Sequence, residues 1–182
     1  ELYDIQADPS QSQNVIADRP QVAQRLRDAY EARWPGLLER AGEYTRTVLG
    51  SDAQNPLTLY SHDWHPTAGP ISVWNQSQVE EMVPWNGFWA VRVARPGNYR
   101  FTLRHRGDYA AVPLRAATAR LEIGTTRENP GQTAAVEKEV PDGATEVSFD
   151  VDLPAGDCFV QTWLTERSGT SRGAYYVEVK RL

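Results

Sequence analysis

The sequence predicts a mainly β protein: an antiparallel β-sandwich, jelly-roll-like, preceded by a short strand–helix element. Three observations carry that expectation. From Phe88 onward, short runs alternate apolar and polar residues with a period of two. Turns rich in Pro and Gly break those runs, as in Arg95-Pro96-Gly97-Asn98 and Pro154-Ala155-Gly156-Asp157. Large rings are abundant, with 6 Trp, 8 Tyr and 4 Phe beside 13 Gly and 12 Pro, a composition that suits pleated strands joined by tight turns. The 182 residues suffice for one domain with a small appendage. The expected division is 1–40 for the strand–helix element and 41–182 for the sandwich, with a Trp-rich loop over 61–87.

In chain order, Glu1-Leu2-Tyr3-Asp4-Ile5 alternates and predicts a first strand, stopped by the turn Asp8-Pro9-Ser10. Asp18 with Gln21 reads as a capping pattern, and Pro20 stands in the first helical turn, where its missing N–H costs little. The helix that follows places Val22, Leu26, Ala29 and Tyr30 on one stripe and is expected to stop at Trp34, before Pro35-Gly36. Thr45 to Leu49 and Leu57 to Tyr60 read as strands. The clearest alternations follow: Trp89, Val91 and Val93; Tyr99, Phe101 and Leu103; Leu121 and Ile123; Val147, Phe149, Val151 and Leu153. Phe159 to Leu164 and Tyr175 to Val179 complete the set, and the polar stretch 125–144 reads as a long loop or hairpin excursion.

Charge and composition exclude some functions. With 19 Lys+Arg against 24 Asp+Glu the formal charge is −5, the wrong sign for a nucleic-acid partner. No apolar run approaches the roughly 20 residues a membrane-spanning helix needs. No Gly-rich phosphate loop, G-x-S-x-G elbow or H-E-x-x-H is present, so no catalytic residue is assigned. Cys158 is the single cysteine; it lies in a strand pattern beside Phe159 and Val160 and reads as a buried small hydrophobe.

The candidate binding residues lie in 61–87, which shows neither a 2.0 nor a 3.6 period. They are His62, Asp63, Trp64, His65, Trp74, Asn75, Gln76, Trp85 and Asn86. Indole faces stack on the axial C–H groups of sugar rings, and planar amides pair with hydroxyls, so a polar cleft for a glycan is one reading. The alternatives are tryptophans as core filler and imidazoles that brace a loop through backbone carbonyls. His62-x-x-His65 with Asp63 is too small a set to assign a metal. Asn75-Gln76-Ser77 is a glycosylation sequon, relevant in a secreted eukaryotic protein. Arg100, Thr102, Arg104 and Arg106 share one face of a strand, either a solvated face or a place for a sulfated or carboxylated ligand.

The opening residues also carry a family resemblance. Glu1-Leu2-Tyr3-Asp4-Ile5, Asp8-Pro9, Gln13-Asn14-Val15 and the helix from Pro20 to Trp34 resemble the C-terminal segment of type I, formylglycine-dependent sulfatases, with Gln11 where an acidic residue is usual. His62-Asp63-Trp64-His65 and the closing Gly173-Ala174-Tyr175-Tyr176-Val177 resemble extensions on bacterial arylsulfatase-like proteins, and the sandwich alone is similar to jelly-roll carbohydrate-binding modules.

The resemblance implies a non-catalytic C-terminal domain that completes a sulfatase and lines its substrate pocket. The partners would be an upstream catalytic domain and a sulfated or glycan substrate. No cofactor is expected in this segment, because Cys158 does not begin C-x-P-x-R; calcium and formylglycine would belong to the upstream domain. The opening at Glu1, with Met82 the only methionine, fits that expectation, and a periplasmic or secreted location is compatible with it. An autonomous carbohydrate-binding module and a structural or oligomerisation domain are the alternatives.

Overall fold

The computed structural model describes all 182 residues, and they separate into two compact units, Glu1–Tyr44 and Thr45–Leu182. The first unit is a hydrogen-bonded loop followed by one helix, α1 (Pro20–Glu39). Its opening residues form no strand. Instead the Leu2 N–H donates to Asn14 Oδ1 at 2.9 Å, and the Val15 N–H donates to the Leu2 carbonyl at 2.8 Å. The Asp8 carboxylate accepts from the Gln13 N–H at 2.7 Å and from the Ser10 and Ser12 hydroxyls at 2.8 and 3.0 Å. Side chains that capture backbone donors locally compete with a ladder, which is why the alternation of Glu1 to Ile5 does not become a strand.

Helix α1 differs from expectation at both ends. Its N-cap is Arg19, with no side-chain cap, so the Asp18/Gln21 pattern is unused. It also runs past Trp34 and carries Pro35 within it. Proline removes one intrahelical donor, but no residue of α1 is buried, so water can satisfy the freed carbonyl. Tyr30 and Trp34, one turn apart, stack at 5.4 Å on that exposed surface.

The second unit is the two-sheet sandwich. Its elements are β1 (Thr47–Leu49), β2 (Leu57–Tyr60), β3 (His65–Ala68), α2 (Gln76–Glu81), β4 (Asn86–Val93), β5 (Gly97–Arg104), β6 (Thr118–Gly124), β7 (Ala134–Glu139), β8 (Glu146–Leu153), β9 (Gly156–Thr165), β10 (Ser171–Arg172) and β11 (Tyr176–Arg181). One sheet runs β1-β4-β9-β6-β7, with β3 on β4 and β10 on β9; the other runs β2-β11-β5-β8. Every pairing is antiparallel except β1 with β4. The stretch 125–144 is the hairpin excursion: β7 returns along β6, pairing Leu121 with Val136.

The core lies between the sheets and follows the alternation. Trp89, Val91 and Val93 of β4 and Ala119, Leu121 and Ile123 of β6 face Tyr99, Phe101 and Leu103 of β5 and Val177 and Val179 of β11, all buried. Cys158 is buried as expected, and burial pushes its thiol up to about 11. The outward face of the four-stranded sheet is polar, with acids placed opposite arginines. Arg100 pairs with Asp150 at 2.7 Å, and Arg104 with Glu146 at 2.7 Å and Glu178 at 3.8 Å. These guanidinium groups have carboxylate partners, as a solvated ion-paired face expects. Arg106 lies beyond the end of β5 and pairs with Glu80 of α2 at 3.1 Å.

Candidate functional site

The irregular stretch 61–87 resolves into three short elements pinned to the sandwich. The chain leaves β2 into a single helical turn, Ser61–Asp63, held by the Ser61 N–H on the Tyr175 carbonyl (2.9 Å) and the Ser61 hydroxyl on the Val73 carbonyl (2.9 Å). Strand β3 then pairs with β4, setting His65 opposite Phe88. Helix α2 begins at a reciprocal cap. Asn75 Oδ1 accepts from the Gln78 N–H at 2.9 Å, while Gln78 Oε1 accepts from the Trp74 and Asn75 N–H groups at 3.0 and 3.4 Å. That cap fixes the backbone at Trp74, and the Tyr175 hydroxyl, donating to the Val83 carbonyl at 2.7 Å, ties the chain just after α2 to the residue just before β11.

These elements divide the nine expected residues. His62, Asp63, Trp74, Asn75 and Gln76 line one cavity of about 230 Å³, together with Tyr60, Val73, Tyr175 and Tyr176. Trp74 is 60% exposed there, so an indole face is open to a ligand. The other four lie elsewhere. Trp64 is 4% exposed and sits in the core against Trp89 and Tyr175, with ring centroids 5.7 and 5.9 Å away. Asn86 is buried, and its amide donates to the Thr162 carbonyl at 3.0 Å. Trp85 is half-buried and packs where a Cβ on Gly69 would stand. His65 stacks on Phe88 at 4.9 Å, and burial, followed by Arg127, lowers its pKa. The two imidazoles thus part company, and no three His, Cys, Asp or Glu residues converge as metal ligands.

A second cavity, about 170 Å³, shares Tyr60 and Tyr176 with the first and adds Thr58, Arg104, Gly107, Asp108, Tyr109 and Glu178. The two cavities therefore adjoin, with Tyr60 and Tyr176 as the saddle between two lobes. Register explains the saddle: Tyr176 pairs with Tyr60 of β2 on one side and Arg104 of β5 on the other, so all three stand on the outward face. The two saddle rings meet edge to face at 5.5 Å. Burial, with Tyr109 nearby, raises the Tyr176 phenol's pKa, so that phenol remains a protonated hydrogen-bond donor at neutral pH. Tyr109, Tyr60 and Tyr176 were not anticipated from sequence. For Tyr60 and Tyr176 the signal is a ring at a polar-face position of a strand, visible only once the register is known; Tyr109 stands in the short turn Asp108–Ala110.

No family model matches the chain, and no curated protein matches it. Several solved structures are similar to part of this chain. A ruminal GH26 endo-β-1,4-mannanase has 16% identity and a TM-score of 0.42, covering 71% of this chain and 26% of that one. The GH26-CBM35 β-(1,4)-mannanase of Podospora anserina has 14% identity and a TM-score of 0.41, covering 70% and 28%. A carbohydrate-binding module of Cellvibrio mixtus lichenase 5A, solved with cellotriose, has 10% identity and a TM-score of 0.40, covering 71% and 99%. The chain spans well under two thirds of either mannanase.

Proposed function

We propose that the sandwich is a non-catalytic carbohydrate-binding module whose site is the aromatic groove. The observation that carries this is Trp74: an indole 60% exposed, on a capped helix start, flanked by the planar amides of Asn75 and Gln76. A soluble domain gains nothing in stability from an indole held in water. A sugar ring supplies C–H faces for the indole and hydroxyls for the amides and for the Asp63 carboxylate. Titration of neutral oligosaccharides into the 182-residue chain tests the reading. Saturable binding lost in Trp74→Ala supports it, and no binding to any neutral glycan contradicts it.

A second reading concerns the first unit. Asp4, Asp8 and Asn14, members of the sulfatase-like motif, hold its loop together, and α1 buries none of its own residues. We propose that Glu1–Tyr44 is the C-terminal segment of a formylglycine-dependent sulfatase, with the sandwich as its glycan-binding extension. Formylglycine and calcium would then be held upstream, since Cys158 is buried and lacks the C-x-P-x-R context. A C/S-x-P-x-R motif in the upstream reading frame supports this reading. Turnover of an aryl sulfate by these 182 residues alone contradicts it.

A further inference from the structure

We infer that the groove takes a chain of uncharged sugar units across both lobes, with Tyr109 as the platform of the second lobe. This rests on the carbohydrate-binding reading above and names the ligand class it accepts. Continuity is the first argument. Tyr60 and Tyr176 line both cavities, so the two tyrosine rings of the saddle are what separates a ligand seated on Trp74 from the second lobe. The second lobe repeats the chemistry of the first, an exposed ring beside polar side chains: Thr58, Arg104, Asp108 and Glu178.

Tyr109 is the most exposed large ring in the chain, at 83%. Its ring lies against Gly107 where any Cβ would collide, so the absent side chain at Gly107 lets the ring rest on backbone. The Tyr109 N–H donates to Asp108 Oδ1 at 2.9 Å, which tightens the same turn. A ring placed this way loses little freedom when a ligand arrives.

Charge sets the ligand class. The lobes are lined by three carboxylates, Asp63, Asp108 and Glu178, against one arginine, Arg104, which Glu146 and Glu178 already engage. Asp63 and Asp108 make no ion pair, so the groove presents negative potential to whatever enters. Uronic or sulfated units would meet repulsion there, whereas neutral hydroxyls find acceptors.

Calorimetric titration separates the possibilities. Neutral hexasaccharides (cello-, manno-, xylo- and laminarihexaose) and the matching disaccharides are titrated against the wild-type chain, Trp74→Ala and Tyr109→Ala, with hexagalacturonate as the anionic comparator. At least one neutral hexasaccharide should bind about tenfold tighter than its disaccharide. Tyr109→Ala should bring that ratio close to one, and Trp74→Ala should lose both ligands. Hexagalacturonate should bind at least about tenfold more weakly than the best neutral hexasaccharide. Equal wild-type affinity for hexa- and disaccharide overturns the second lobe while the carbohydrate reading stands, as does a length ratio unmoved by Tyr109→Ala. Hexagalacturonate as tight as the neutral chains overturns the charge assignment. Binding to no glycan at all overturns the underlying reading.

Discussion

Trp64 and Trp74 are close in sequence and opposite in role. Trp64 packs between Trp89 and Tyr175, so Trp64→Ala should cost about 3–5 kcal/mol in denaturant unfolding. Trp74→Ala should leave the unfolding midpoint near wild type, because its ring is 60% exposed. Nothing in residue type or local period separates the two, which is why the sequence grouped them; burial is set by the strand and helix that carry each. His105 is a second residue whose surroundings decide its behaviour. It is 2% exposed, and burial, followed by the charges of Arg172, Arg106 and Arg115, lowers its pKa to about 4. The unfolded chain binds that proton near pH 6.5 and the folded chain does not. Stability is therefore fully present above about pH 6.5 and falls as the pH drops toward 4, by on the order of 3 kcal/mol. Urea midpoints measured from pH 7 to pH 4 check this, and His105→Gln should flatten the slope.

At the scale of elements, legibility followed burial. Strand β8 buries alternate residues and β5 nearly so, while β4 is buried on both faces apart from Arg92, and all three were readable to within a residue or two. Strand β3 and helix α2 are short and mostly exposed, and no period exposes them. The Asn75-to-Gln78 spacing was the available signal for α2, a reciprocal cap written in the sequence. Asn75→Ala should cost about 1 kcal/mol and weaken glycan binding, since the cap also holds Trp74. The β3–β4 pairing depends on Gly87: a Cβ there would stand 2.6 Å from Trp64 Cβ and 2.8 Å from the His65 carbonyl oxygen. Gly87→Ala should lower stability by about 1–3 kcal/mol, read from thermal and urea unfolding. The helix α1 was legible in its start but not its end: Pro35 lies inside it, on a helix with no buried residue, where water can take up the hydrogen bond the proline forgoes.

For the whole molecule, cohesion resides in Thr45–Leu182, where every buried side chain lies, while Glu1–Tyr44 contributes none. A chain beginning at Thr45 should accordingly keep a single cooperative unfolding transition with a midpoint near that of the full chain, observable by calorimetry. The fold class was legible because an antiparallel sandwich writes its two faces into each strand. The groove was legible only in its Trp74 lobe, through local crowding of rings and amides. Its saddle and second lobe join Tyr60 and Tyr176, brought together by strand pairing, with Tyr109 from the turn at Asp108–Ala110, so the set is silent in any local window. The proposed role of the molecule turns on that groove holding a carbohydrate. The most direct measurement is calorimetric titration of the four neutral hexasaccharides into the full chain and into Trp74→Ala at matched fold stability. The account predicts saturable binding of at least one of them to the wild type and none to the variant; flat isotherms for all four, or binding unaffected by Trp74→Ala, would contradict it.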